Sequence, residues 1–148
     1  MTVSASYFDH ADGARDEMDW NPEWSRRARG FAVYAAIRSL GRSGVAELVD
    51  RCCRHARSIV EGIGALPGAE VVAVPVINQG LVRFLSPDGD HDRRTDEVIA
   101  RIQAGGAAWF GGVTWSGQRV MRVSVSSWQT TDADVERTID AVRTALAI

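Results

Sequence analysis

The sequence contains no lysine, so all 17 of its basic residues are arginine. A general preference for arginine codons produces the same bias, but the chemical consequence stands whatever its origin. A chain without an ε-amine forms no lysine Schiff base and supplies no P-loop lysine. Cysteine is almost as scarce. Cys52 and Cys53 are chain neighbours, unable to staple a fold and lacking metal-ligand spacing. They read as reduced thiols, which points to a cytoplasmic protein. No apolar run is long enough to span a bilayer. The first 20 residues lack the basic and continuously apolar regions of a secretory signal. A formal net charge of −2 gives no electrostatic reason to expect nucleic acid or a membrane as partner.

What is present suits one globular domain: 148 residues, 45% hydrophobic and 24% charged. Residues 1–24 are irregular and acidic, yet carry Tyr7, Phe8, Trp20 and Trp24. They read as an extended arm or linker that packs its aromatic residues, because a disordered tail would be poorer in them. From Ser25, the spacing of Phe31, Tyr34, Ile37 and Leu40 predicts a helix with Gly41 as its stop. Ser43 reads as the N-cap of a second helix, whose apolar stripe runs through Val45, Leu48, Val49, Cys52, Ala56, Ile59, Val60 and Ile63. Strands are expected at 70–76 and 80–85, and a helix from about Thr95 to Gln103. Pro75 marks a strand end or an edge. Residues 107–126 read as a hairpin turning at Ser116-Gly117, and Thr131 with Asp134 as a capping box for the last helix. The order α-α-β-β-α-β-β-α predicts an α+β domain, an antiparallel or mixed sheet of about four strands with helices on one face.

Few groups offer chemistry. Asp88, Asp90 and Asp92 alternate like the start of a calcium loop, but Arg93 stands where glycine is required and Ile99 where glutamate is. His10, His55 and His91 share no metal-ligand spacing and read as solvated. Cys52 falls on a buried stripe and reads as a small hydrophobe. The glycines of "GGVTWSG", residues 111–117, lie in a hairpin rather than before a helix. They read as places where a segment or ligand comes close to the strand. Arg26, Arg27 and Arg29 crowd a helix start, where cations oppose the helix dipole. Arg122 lies mid-strand in "RVMRVSVSSW", on the face of Ser124 and Ser126. The residues alone leave it either a solvated arginine or half of a carboxylate clamp.

Four stretches together resemble pyridoxal-phosphate-dependent amino acid decarboxylases of the aromatic-amino-acid and glutamate group. Residues 19–51 resemble the region following the cofactor lysine. "VINQGLVRF", residues 76–84, is similar to the family's "LNQVLVRF"-type strand. Residues 114–137 are similar to its closing hairpin and last helix, and "VSASYF", residues 3–8, to a segment inside longer members. The family's Ser-Asn-Trp is Ser126-Ser127-Trp128 here.

The resemblance implies the C-terminal small domain of fold-type-I enzymes over residues 25–148, after the arm at 1–24. It implies that the large domain, with the cofactor lysine and the groups around the ring, lies outside these residues. On that basis the function is the C-terminal part of a decarboxylase (a carboxy-lyase), inactive alone. Arg122 aligns with an arginine that binds the substrate carboxylate in relatives. The complete enzyme would use pyridoxal phosphate and an amino acid substrate, as a homo-oligomer. No catalytic, cofactor-binding or metal residue is expected in this chain. The alternative is a non-catalytic remnant acting as an interaction or dimerisation module through exposed apolar surface.

Overall fold

A computed structural model describes Trp20 and residues 27–147. Apart from Trp20, the expected arm, with His10 in it, therefore lies outside the described residues, as does Arg26 of the expected helix start. The chain forms two compact units, Met1–Gly41 and Arg42–Ile148.

In the first unit, α1 (Arg29–Gly64) begins. Phe31, Tyr34, Ile37 and Leu40 fall at the helical spacing read from sequence, but they are exposed, Phe31 to 74%. Gly41 breaks the helical geometry with φ 64° and ψ −174°, a conformation that favours a residue without Cβ. The expected stop is therefore real, and two helical segments meet there.

The second unit holds the rest of α1, then β1 (Ala69–Ala73), β2 (Gln79–Phe84), α2 (His91–Gly105), β3 (Gly111–Trp115), β4 (Gln118–Ser124) and α3 (Asp132–Leu146). The strands form one sheet in the order β1-β2-β4-β3. Every pairing is antiparallel, which settles the antiparallel-or-mixed alternative and confirms the α+β class. β1 is an edge strand ending at Ala73, just before Val74-Pro75, as the missing proline N–H requires.

Alternation along β2 and β4 sorts the two faces of the sheet. Val82, Phe84, Met121 and Val123 are buried in one cluster with Ile59, Val60 and Ile63 of α1, Val98, Ile99 and Ile102 of α2, and Val135 and Val142 of α3. Each such side chain contributes about 1.5–3 kcal/mol on burial. Gly80 is needed here, because a Cβ would lie 2.8 Å from both Val60 and Pro75 side-chain carbons. Leu81, Arg83 and Arg122 alternate onto the opposite face.

α2 begins at His91, four residues before the expected Thr95. Asp90 caps it by accepting from the Arg93 N–H at 3.1 Å. Thr95 is buried instead, and its hydroxyl accepts the Phe84 N–H at 3.1 Å. The β3–β4 turn is Ser116-Gly117 as read, with φ of 49° and 78°. Two positive φ values give a turn whose twist matches the hairpin. The first arm is shorter than expected. Residues 107–110 leave the sheet, Phe110 enters the core, and its carbonyl accepts from Gln103 Nε2 at 2.6 Å.

Candidate functional site

Arg122 is exposed on β4, on the sheet face away from the buried cluster. Leu81 of β2 stands directly across from it on one side and Gly111 of β3 on the other. The sheet holds three arginines. Arg83 donates to Gln118 Oε1 at 2.6 Å and lies 3.4 Å from a Glu70 carboxylate oxygen. Arg119 lies across Gly112, pairs with Asp96 at 2.7 Å, and donates its backbone N–H to Asp92 at 3.0 Å. Arg122 alone of the three has no hydrogen-bond or ion-pair partner among the described residues. Of the two alternatives left open for it, its position allows both, but it is not neutralised by a neighbour.

Beside Arg122 lies an open hollow of about 590 Å³. Its walls are Val74, Val76 and Ile77 from the β1–β2 connection, Leu81 of β2, and Val113 and Trp115 of β3. The connecting loop is pinned from behind. Asn78 Nδ2 donates to the Val125 carbonyl at 2.8 Å, and the Val125 N–H donates to the Asn78 carbonyl at 3.1 Å. Arg57 reaches the Pro75 carbonyl at 3.4 Å. An apolar loop is thus held in place by polar bonds on its far side. Sequence reading did not find this wall. The expected strand at 70–76 and the family-like strand at 76–84 hide it: β1 ends at Ala73, and the apolar residues around Pro75 form the wall instead.

The other candidate residues serve structure. The Asp88 carboxyl is held below its ordinary value by the Ser86 hydroxyl and the Asp90 N–H, then by Arg93. Arg93 is raised by Glu97 and then by Asp88, so this loop neutralises its own charges. Asp134 is lowered by the Thr131 hydroxyl and N–H, then by Arg137. Cys52 is buried as expected.

Of two histidines read as solvated, one is buried and the other half-buried. His55 is buried, with Nε2 3.0 Å from Asp132 Oδ1 and no partner for Nδ1. Its place was legible, because residue 55 lies three after Cys52 and four before Ile59 on the buried stripe. His91 closes its loop by accepting the Ser86 N–H on Nδ1 at 2.9 Å. Arg27 and Arg29 are exposed. No group of three or more metal-ligating side chains occurs among the described residues. No helix among them is long and apolar enough to cross a membrane.

No protein-family model and no curated protein matches the chain. Solved structures do. The chain superposes on Oryza sativa TDC with PLP and tryptamine with a TM-score of 0.75, at 19% identity, over 89% of this chain and 29% of that one. For Catharanthus roseus tryptophan decarboxylase in complex with L-tryptophan the values are 0.73, 16%, 85% and 28%. For the glutamate decarboxylase domain of diaminobutyrate-pyruvate transaminase and L-2,4-diaminobutyrate decarboxylase from Vibrio parahaemolyticus they are 0.69, 16%, 83% and 27%. The last two neighbours carry amino acid decarboxylase names, and the first was solved with PLP. The likeness establishes the fold, and the chain spans less than a third of the length of each.

Proposed function

We propose that this chain is the C-terminal small domain of a pyridoxal-phosphate-dependent amino acid decarboxylase, and that Arg122 receives the substrate carboxylate. The observation that carries this reading is the Arg122 guanidinium, without a hydrogen-bond or ion-pair partner among the described residues, beside an apolar hollow on the sheet face away from the buried cluster. The shared fold and the decarboxylase identity of its neighbours support it.

The residues here do not fit the cofactor itself. With no lysine in the chain, no side-chain amine can attach it. Cofactor binding therefore belongs to another part of the enzyme, and this chain contributes the anion-binding half of the site. A guanidinium offers two parallel N–H donors to a carboxylate and fixes its orientation as well as its charge. Held on a paired strand, it would present that carboxylate in one direction, which is the positioning a bond-breaking step needs. The complete enzyme would be a homodimer in the cytoplasm, consistent with the two unpaired thiols.

Given pyridoxal phosphate and amino acids, the 148-residue chain alone is expected to release no carbon dioxide, and release would overturn the division of labour. Joined to the lysine-bearing large domain, Arg122→Ala should lower kcat/KM by about 30-fold or more. Truncating one partner of a hydrogen-bonded charge pair costs about 2–5 kcal/mol. Cofactor absorbance should stay unchanged. Normal kinetics in that variant would remove Arg122 from the site. A second reading, a non-catalytic interaction module, is favoured by the exposed stripe of Phe31, Tyr34, Ile37 and Leu40.

A further inference from the structure

At its C-terminal end β4 keeps a neighbour on one side and loses it on the other. The Val125 N–H donates to the Asn78 carbonyl, and the Val125 carbonyl accepts from Asn78 Nδ2. Val125 therefore turns both backbone groups toward β2. Successive residues of an extended strand direct these groups to opposite sides, so Ser124 turns its N–H and C=O toward β3. Its pairing with Gln79 of β2 is the kind without direct backbone bonds. The β3–β4 ladder stops short of it, at Gly111 opposite Arg122. Continued in that register, Trp109 would stand opposite Ser124, but residues 107–110 have left the sheet. Neither backbone group of Ser124 has a hydrogen-bond partner among the described residues.

The two segments part around a hollow of about 370 Å³, which lies in the ordinary range for binding pockets, about 300–1,000 Å³. It shares no lining residue with the hollow beside Arg122. Phe110, Val123 and Val125 line it and are buried, while Trp109 lines it and is 78% exposed. Phe110 is anchored in the core and its carbonyl is held by Gln103 Nε2, so the loop stands off β4 before anything binds. Asp134 is the one charged lining residue, and its carboxylate is already bonded by the Thr131 N–H and by Arg137. With a carboxylate at its border and no cation, the hollow does not suit an anion, which would lose hydration there without replacement.

We infer that this gap is a docking slot for a short extended segment of another polypeptide, which adds to β4 beyond the end of β3. A donor and an acceptor offered by one residue along a strand edge are the pattern that a peptide backbone returns when it joins a sheet. At about 3.3 Å per residue, about three residues span the stretch centred on Ser124. The middle residue of the segment lies opposite Ser124 and shares its outward face, and the two flanking side chains turn inward toward Phe110, Val123 and Val125. The segment recognised is thus uncharged, with a polar residue between two small apolar ones.

Amide and indole NMR titrations of the 148-residue chain test the slot with acetyl-Val-Thr-Val-amide and with the same peptide N-methylated at threonine. At millimolar concentration the first is expected to shift the Ser124 and Ser126 amides and the Trp109 indole. N-methylation removes the N–H that donates to the Ser124 carbonyl, and should weaken binding about fivefold or more, as expected for one lost backbone hydrogen bond. Ser124→Pro removes the corresponding N–H of the protein. That N–H faces away from β2, so the β2–β4 ladder keeps its bonds, and unshifted Val82 and Met121 amides check that the fold is retained. The variant should bind the unmethylated peptide more weakly by a similar factor. Where the proline variant fails to fold, the methylated peptide on the native chain decides alone. Equal binding of the two peptides would overturn strand addition, and no response of these signals to either peptide would overturn the slot itself.

Discussion

His55 sits in the core with one ring nitrogen bonded to Asp132 and the other without a partner. Its environment is set by Cys52, Ala56 and Ile59 on the same helical stripe, so its bulk matters to packing and its polarity is a burden. The two contributions separate by substitution. His55→Ala removes the ring and leaves a cavity, with an expected loss of about 2–4 kcal/mol. His55→Leu keeps most of the volume and removes the orphaned nitrogen, so it should cost less than about 1 kcal/mol, because taking away a buried polar group with its unmet hydrogen bond offsets the change of shape. Urea unfolding of the two variants checks this. Equal destabilisation would mean that the Asp132 hydrogen bond, not the packing, holds the site together. Arg122 presents the opposite case, a charged group with no hydrogen bond or ion pair among the described residues, while Arg83 and Arg119 on the same sheet are tied down.

At the scale of elements, local chemistry made most of the fold legible. Apolar periods located the helices, Gly41 and Pro75 marked real interruptions, and Ser116-Gly117 turned the hairpin. The start of α2 was not legible, because Asp90 and Asp92 looked like loop acids until their partners, the Arg93 and Arg119 N–H groups, were in view. The site was legible only to the level of Arg122. Its apolar wall depends on a non-local clasp between Asn78 and Val125, 47 residues apart, which no window of sequence contains. The capping box of α3 was read correctly and carries a pH prediction. Thr131→Ala should cost about 1 kcal/mol. The folded-state pKa of Asp134 is depressed below its ordinary value of 3.8. Its contribution is therefore present above that value and lost as pH falls through the depressed one, so stability should decline below about pH 4. Asp134→Asn should flatten that acid limb. Asp88, depressed in the same direction, contributes to the limb independently, and an unaltered acid limb in the Asp88→Asn, Asp134→Asn double variant would contradict the assignment.

At the scale of the whole molecule, the exposed apolar residues decide between a domain made to be covered and one that stands alone. In the first unit Phe31, Tyr34, Ile37 and Leu40 form a helical stripe open to solvent. In the second, Val76, Ile77, Trp115 and Trp128 are exposed. Contiguous apolar surface on a soluble protein marks an interaction site, and each large side chain covered would contribute about 1.5–3 kcal/mol. Lacking a larger partner, the chain should cover the helical stripe with a second copy of itself. Sedimentation equilibrium is expected to show concentration-dependent association, reduced by about tenfold or more when Phe31 and Ile37 are both replaced by serine, since that change removes two such side chains. A chain that stays monomeric at all concentrations would remove the interaction-module reading and leave the half-site reading as the account of this surface.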